Sequence, residues 1–114
     1  MVTIELTYRN ESIVAYDLSG HALSRNRGQE FDLVCAAVSV LAITTTNGLT
    51  EIVGIKPKEL LVEDGRLRCV LPAELSNEQT IQADTLSQTL VMGLECLAAA
   101  YPKHVHIVRR RCAS

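Results

Sequence analysis

The chain has 114 residues, enough for one domain with a real core. Its apolar content of 47% excludes a disordered chain and is carried by Val, Leu, Ile and Ala, with no Trp and one Phe. A formal net charge of −2 and the shortage of aromatic stacking platforms disfavour direct nucleic-acid binding, which calls for a basic excess and ring faces.

Val2, Ile4, Leu6 and Tyr8 alternate with Thr3, Glu5, Thr7 and Arg9, which predicts a half-buried strand. Asn10-Glu11 reads as a hairpin turn. A second strand over 12–18 puts Val14, Tyr16 and Leu18 on one face and runs into Gly20-His21. Residues 23–28 have loop composition, with Gly20 and Gly28 as hinges, so the segment from Gly20 to about Glu30 is expected to be mobile. Asp32 then predicts a helix N-cap, its carboxylate accepting backbone N–H groups that include that of Cys35, which falls in the first turn. Val34, Val38, Leu41, Thr45, Leu49 and Ile52 recur at steps of three and four, so the helix runs to about Val53 with Gly54 as its left-handed terminal residue. Asn47-Gly48 is a competing stop signal, outweighed because the stripe resumes in phase after it.

Residues 59–62 and 66–71 flank Glu63-Asp64-Gly65, a hairpin in which Asp-Gly supplies the turn. Ser76-Asn77-Glu78-Gln79 has the form of a capping box, opening a second helix that continues along Leu86, Leu90, Leu94 and Leu97 to about Tyr101, where Pro102 ends it. A last strand covers 105–110. The order β-β-α-β-β-α-β predicts a single α/β (α+β) domain over 1–114, a mixed sheet with two long helices packed on one face. Two wide aliphatic stripes exceed what one small sheet face covers, which predicts a homodimer.

Cys35, Cys69, Cys96 and Cys112 are irregularly spaced with no Cys-x-x-Cys pair, which fits reduced thiols better than a disulfide framework or a zinc site. The apolar stretches are broken by polar residues short of a membrane span and no signal pattern opens the chain, so a cytoplasmic protein with no membrane partner is expected. Cys69 and Cys96 read as core or subsurface residues. His104-x-His106 has a spacing that metal sites use, yet no carboxylate lies beside it and Cys112 is near the chain end, so no metal is expected. Arg109-Arg110-Arg111 reads as a solvated strand end.

The chemistry-bearing pair is His21 in Gly20-His21-Ala22 and, fourteen residues later, Cys35. A thiol is a poor nucleophile until it ionises, which an imidazole neighbour or a helix N-terminus promotes. The terminus contributes roughly 0.3–1 kcal/mol, up to about 2 when partly buried. One pKa unit is about 1.4 kcal/mol, so the terminus cannot ionise a thiol alone and a histidine is needed. The N–H groups of the same helix start are candidate oxyanion donors. Without the histidine, Cys35 reads as a small buried hydrophobe. Asp32 either caps the helix or orients His21, two compatible roles. Ser39, one turn after Cys35, either touches the site or bonds the carbonyl four residues back.

Gly20-His21-Ala22, a spacer, then Asp32-x-x-Cys35-Ala36-Ala37-Val38-Ser39 closely resembles the ribosomal-processing cysteine protease family Prp. The likeness extends to the strand pair before the motif, the Asp-Gly hairpin ending in Leu71-Pro72, and the long helix ending near Tyr101-Pro102. The resemblance implies a catalytic dyad of His21 and Cys35, with Gly20, Asp32 and Ser39 in flanking positions of the motif. It also implies a homodimer that needs no metal or cofactor and removes a short N-terminal extension from large-subunit ribosomal protein twenty-seven, cutting after apolar aromatic residues. The loop between His21 and Cys35 is longer than in the family's pattern, with Gln29-Glu30-Phe31 and basic Arg25 and Arg27 where that loop often carries aromatics. The competing readings are a non-enzymatic module that binds a ribosomal-protein tail, and a metal-binding regulatory domain using His104 and His106.

Overall fold

The computed structural model describes residues 1–20 and 29–112. Strands β1 (Val2–Arg9) and β2 (Ser12–Ser19) lead to helix α1 (Gln29–Asn47), which continues as one π-helical turn, Gly48–Ile52. Then follow β3 (Glu59–Glu63), β4 (Arg66–Val70), helix α2 (Asn77–Ala100) and β5 (Val105–Arg111). The sheet order is β3-β4-β2-β1-β5, with β5 parallel to β1 and the other pairs antiparallel, which is the expected element order in a mixed sheet.

The strand period sorts the sheet into two unlike faces. On one, Ile4, Leu18 and Leu67 stand in register across β1, β2 and β4, and Leu6, Tyr16 and Cys69 form the next row, all buried. Phe31, Val34, Val38 and Ala42 of α1 and Ala83, Leu90, Val91 and Leu94 of α2 join this core. On the other face Asp17 lies between Arg66 at 2.9 Å and Arg68 at 3.1 Å, and Arg110 reaches Glu5 at 2.9 Å. Bonds to Asp17, and to Glu59 for Arg68, hold both guanidiniums above their ordinary pKa; for Arg68 they outweigh the opposing effect of burial. Charged residues suit a sheet covered on one side only.

In β2, Ile13 and not Val14 faces the core. The β1–β2 register shifts at Thr7/Tyr8, pairing Tyr8 with Ile13, so Val14 is the extra residue of a bulge and the alternation inverts there. Asn10 in the preceding turn has φ 58°. The helix ends where expected, Gly54 having φ 79°. However, the Val53 N–H donates to Gly48 O at 3.0 Å, five residues back, and this wider turn swings Ile52 out of the stripe to 86% exposure. Thr45 and Thr46 just upstream donate their hydroxyls to Leu41 O and Ala42 O, both at 2.7 Å, a side-chain competition that loosens the ladder.

Helix α2 begins with the expected capping box: Gln79 N–H donates to Ser76 Oγ at 3.1 Å and Ser76 N–H to Gln79 Oε1 at 3.3 Å. Cys69 is buried as expected, but Cys96, expected in the core or just beneath the surface, is exposed, because it lies on the outer side of α2. Contrary to the expectation of short apolar runs, residues Gln29–Ile52 form a helix long and apolar enough to pass as a membrane span by composition. A third of that span is buried, including the stripe of Phe31, Val34, Val38 and Ala42 that packs in the core.

Candidate active site

The candidate site lies where β2 leaves the sheet. Gly20, the residue before His21, has φ 94°, and its N–H donates to Gly65 O at 3.1 Å in the β3–β4 turn. A Cβ on Gly20 would lie 2.3 Å from Met1 O. Glycine alone therefore fits both the dihedral and the space at this position. His21 and the loop 23–28 with Arg25, Arg27 and Gly28 lie outside the described residues, so the expected mobility of that loop concerns the described chain only at its ends. At the far end, Gln29 and Glu30, expected in the loop, are helical.

The start of α1 is four residues earlier than the Asp32 cap implies. Asp32 is the fourth helical residue and Cys35 the seventh, in the second turn. The Cys35 N–H thus falls within the i→i−4 ladder, and the unpaired N–H groups of the helix start belong to residues before it. Glu30 and Asp32 still sit where the positive end of the helix favours acids. The shift follows from Phe31, buried in the core with its ring edge-on to His104 at a centroid distance of 5.6 Å. Glu30 Oε2 and His104 Nε2 share a hydrogen bond of 2.7 Å beside it.

These contacts tie together one end of the molecule. The Val2 N–H donates to His104 O at 2.7 Å, while Met1 crowds Gly20. The first turn of α1, the start of β1 and the exit of β2 therefore meet, which brings the residue before His21 to the same end of the sheet as Cys35. Cys35 is 8% exposed, at the margin of the core. Helical spacing aligns Asp32, Cys35, Ser39 and Ile43 along one flank of α1. Asp32 is exposed and Ser39 half-buried. Ser39 and Ile43 face the β3–β4 hairpin across a narrow cleft that Val62, Glu63, Arg66 and Leu67 complete.

Away from this end, the Tyr16 hydroxyl and Thr46 Oγ1 share a buried hydrogen bond of 2.7 Å under α1. Burial pushes the Tyr16 phenol well above its ordinary pKa and raises that of the adjacent Cys69 thiol, which disfavours a reactive thiolate at Cys69. His104 precedes β5 and its ring is taken up by α1, whereas His106 is exposed in register with Thr3. The imidazoles of the metal alternative thus have unlike surroundings, and no group of three or more His, Cys, Asp or Glu side chains that could hold a metal occurs among the described residues. The sequence reading missed the Gly20–Gly65 and Glu30–His104 contacts; the Asp-Gly turn was its only signal for the first, and nothing marked the second.

Comparison places the chain among the cysteine proteases. The sequence model of the family described as "Cysteine protease Prp" matches residues 1–106. The chain belongs to the cysteine protease Prp family. Among solved structures, SMU.848 from Streptococcus mutans superposes with a TM-score of 0.83 at 24% identity, covering 98% of this chain and 96% of that one. The essential ribosomal processing protease Prp from S. aureus in complex with a substrate peptide has a TM-score of 0.80 at 18% identity, covering 96% of this chain and 100% of that one. Its complex with a covalently linked product peptide gives 0.79 at 19%, with the same coverage. These likenesses show a shared fold. No curated protein is significantly similar in sequence.

Proposed function

We propose that this cysteine protease removes a short N-terminal extension from large-subunit ribosomal protein twenty-seven, in the cytoplasm and as a homodimer, with Cys35 and His21 as its dyad. The observation that carries the reading is the family match over residues 1–106, which includes both Gly20-His21-Ala22 and the Cys35 segment. The anchoring of Gly20 against the β3–β4 turn, at the end of the sheet where α1 begins, supports the pairing. The S. aureus complexes with substrate and product peptides support a peptide substrate. Exposed Leu33 and Val40 on α1 and Ile81 and Met92 on α2 support the homodimer.

In this reading His21 takes the proton from Cys35 Sγ, and the thiolate attacks the scissile carbonyl carbon. The imidazolium gives that proton to the leaving amine as the C–N bond breaks, and a thioester remains on Cys35. Water, deprotonated by His21, then releases the acid and restores the thiol. With the capping role removed, Asp32 is the candidate carboxylate to orient His21. No metal or cofactor enters any step.

The test is incubation with a synthetic peptide of the N-terminal residues of the host's ribosomal protein twenty-seven, followed by mass spectrometry. The wild type cuts one bond, while folded Cys35→Ala and His21→Ala variants are slower by about a thousandfold or more. Undiminished cleavage by Cys35→Ala would remove the nucleophile assignment, and an intact peptide after wild-type treatment would remove the substrate. A monomer by sedimentation at micromolar concentration would remove the homodimer.

A further inference from the structure

At the edge of the sheet, β3 is five residues long and pairs on one side with β4. Among the described residues no strand pairs with its other side. Because the hairpin turns through Asp64-Gly65, Glu63, Leu61 and Glu59 occupy the hydrogen-bonded positions opposite β4. Leu60 and Val62, in the alternate positions, turn their backbone N–H and C=O groups to the free edge. Their side chains share the helix-covered face of the sheet and are nonetheless 49% and 56% exposed.

Along this edge runs the cleft between β3–β4 and α1. Its floor is Leu18, Val38, Ala42 and Leu67, and its mouth lies between Ile43 and Val62. The enclosed part is about 20 Å³, room for one water, so a side chain enters only as Ile43 and Val62 move apart. Ser39 carries the cleft wall to within one helical turn of Cys35, and Gly65 O, at the hairpin tip, holds Gly20. The tip of the free edge thus lies across the cleft from Ser39, one helical turn from Cys35.

Charge decides the occupant. Two copies of β3 pairing antiparallel about Leu61 would set Glu59, bonded to Arg68 at 3.2 Å, opposite Glu63, in register with Arg66, at both ends, and like charges directly opposite disfavour that pairing as far as these arginines leave them unscreened. An incoming strand with basic residues beside an apolar one meets instead the exposed carboxylates of Glu63 and Asp64. We infer that the substrate binds as an added strand on the free edge of β3, with backbone bonds to Leu60 and Val62, an apolar side chain in the cleft at Ile43 and a flanking basic residue beside Glu63. This deepens the proposed function and rests on Cys35 being the nucleophile. Peptide recognition by strand addition draws affinity from main-chain bonds and specificity from pockets for alternate side chains, which this edge and cleft supply.

The test uses the full chain and the ribosomal peptide above. Leu60→Pro deletes an outward N–H at a position where an edge strand tolerates proline, and Leu60→Ala deletes only the side chain. Ile43→Trp closes the cleft. The expected result is a rise in KM of about tenfold or more for Leu60→Pro and Ile43→Trp, and of about threefold or less for Leu60→Ala, with unchanged alkylation of Cys35 by iodoacetamide. In the Cys35→Ala protein, bound peptide should slow amide exchange at Leu60 and Val62, a readout independent of any β3 variant. Wild-type KM in both variants, peptide binding that leaves those amides unprotected, or loss of a dimer on Leu60→Pro would each overturn the inference. Cleavage surviving in Cys35→Ala would overturn the nucleophile reading instead.

Discussion

Replacing Gly20 with alanine tests whether the exit of β2 is a fixed point. At φ 94° an L-residue is strained, and the added Cβ would stand 2.3 Å from Met1 O and 3.3 Å from Met1 C, both backbone atoms. Relief requires Gly20 or the start of β1 to move. The latter is held by Val2, fully buried and bonded to His104 O. Movement of Gly20 would break its bond to Gly65 O. Backbone strain of about 1–3 kcal/mol and about 1 kcal/mol for the lost hydrogen bond sum to about 2–4 kcal/mol. Against a total stability of roughly 5–15 kcal/mol the protein stays folded. With a slope of about 2 kcal/mol per molar, the urea midpoint should drop by about 1–2 M. Peptide cleavage should fall by more than the unfolded fraction explains, because Gly20 sets where the chain enters His21. A midpoint within a few tenths of a molar of wild type, with normal cleavage, would refute the reasoning.

Three further outcomes are expected. Ser76→Ala removes one half of the capping box of α2 and should cost about 1 kcal/mol, read as a fall in Tm of about 4 °C. Phe31→Ala empties the core at the start of α1 and should cost about 3–5 kcal/mol by denaturant unfolding. The third concerns alkaline pH. Tyr16 and Cys69 have folded pKa values raised above their ordinary values of 10.0 and 9.0, so their contribution is complete below about pH 9 and lost as pH climbs. Stability measured by urea should therefore decline above about pH 9, and Tyr16→Phe should flatten that decline.

Local signals were enough for much of the fold. Alternation exposed β1, the Asp-Gly pair exposed the β3–β4 hairpin, and Ser76 with Gln79 marked the start of α2 to the residue. Where the sequence misled, a longer-range contact or a change of period was responsible. The bulge opposite Tyr8 exchanged Val14 for Ile13, and the π-helical turn at Gly48 carried Ile52 out of phase, neither of which simple periodicity encodes. Of the candidate site, the motif marked Gly20 and Cys35. The hairpin that receives Gly20 is 45 positions further along the chain, at Gly65, beyond any local signal.

The start of α1 shows how a strong local rule lost to packing, and what that does to the chemistry. Asp32 has the composition of a cap, worth about 1 kcal/mol. Phe31, the only phenylalanine, gains roughly 1.5–3 kcal/mol by full burial. It reaches the core in line with Val34 and Val38 only if residue 31 is already helical, since the three then share a face at steps of three and four. Burial wins, the helix begins at Gln29, and Cys35 moves into the second turn. The favourable effect of a helix N-terminus fades within the first turn, so little of it reaches the thiol. In the proposed dyad, activation of Cys35 then rests on His21, which follows the anchored Gly20, and removing His21 should strongly slow alkylation of Cys35 near neutral pH. His104 is already engaged by Glu30, and His106 stands in register with Thr3 on β1. Fast alkylation persisting in a folded His21→Ala protein would therefore count against the dyad itself.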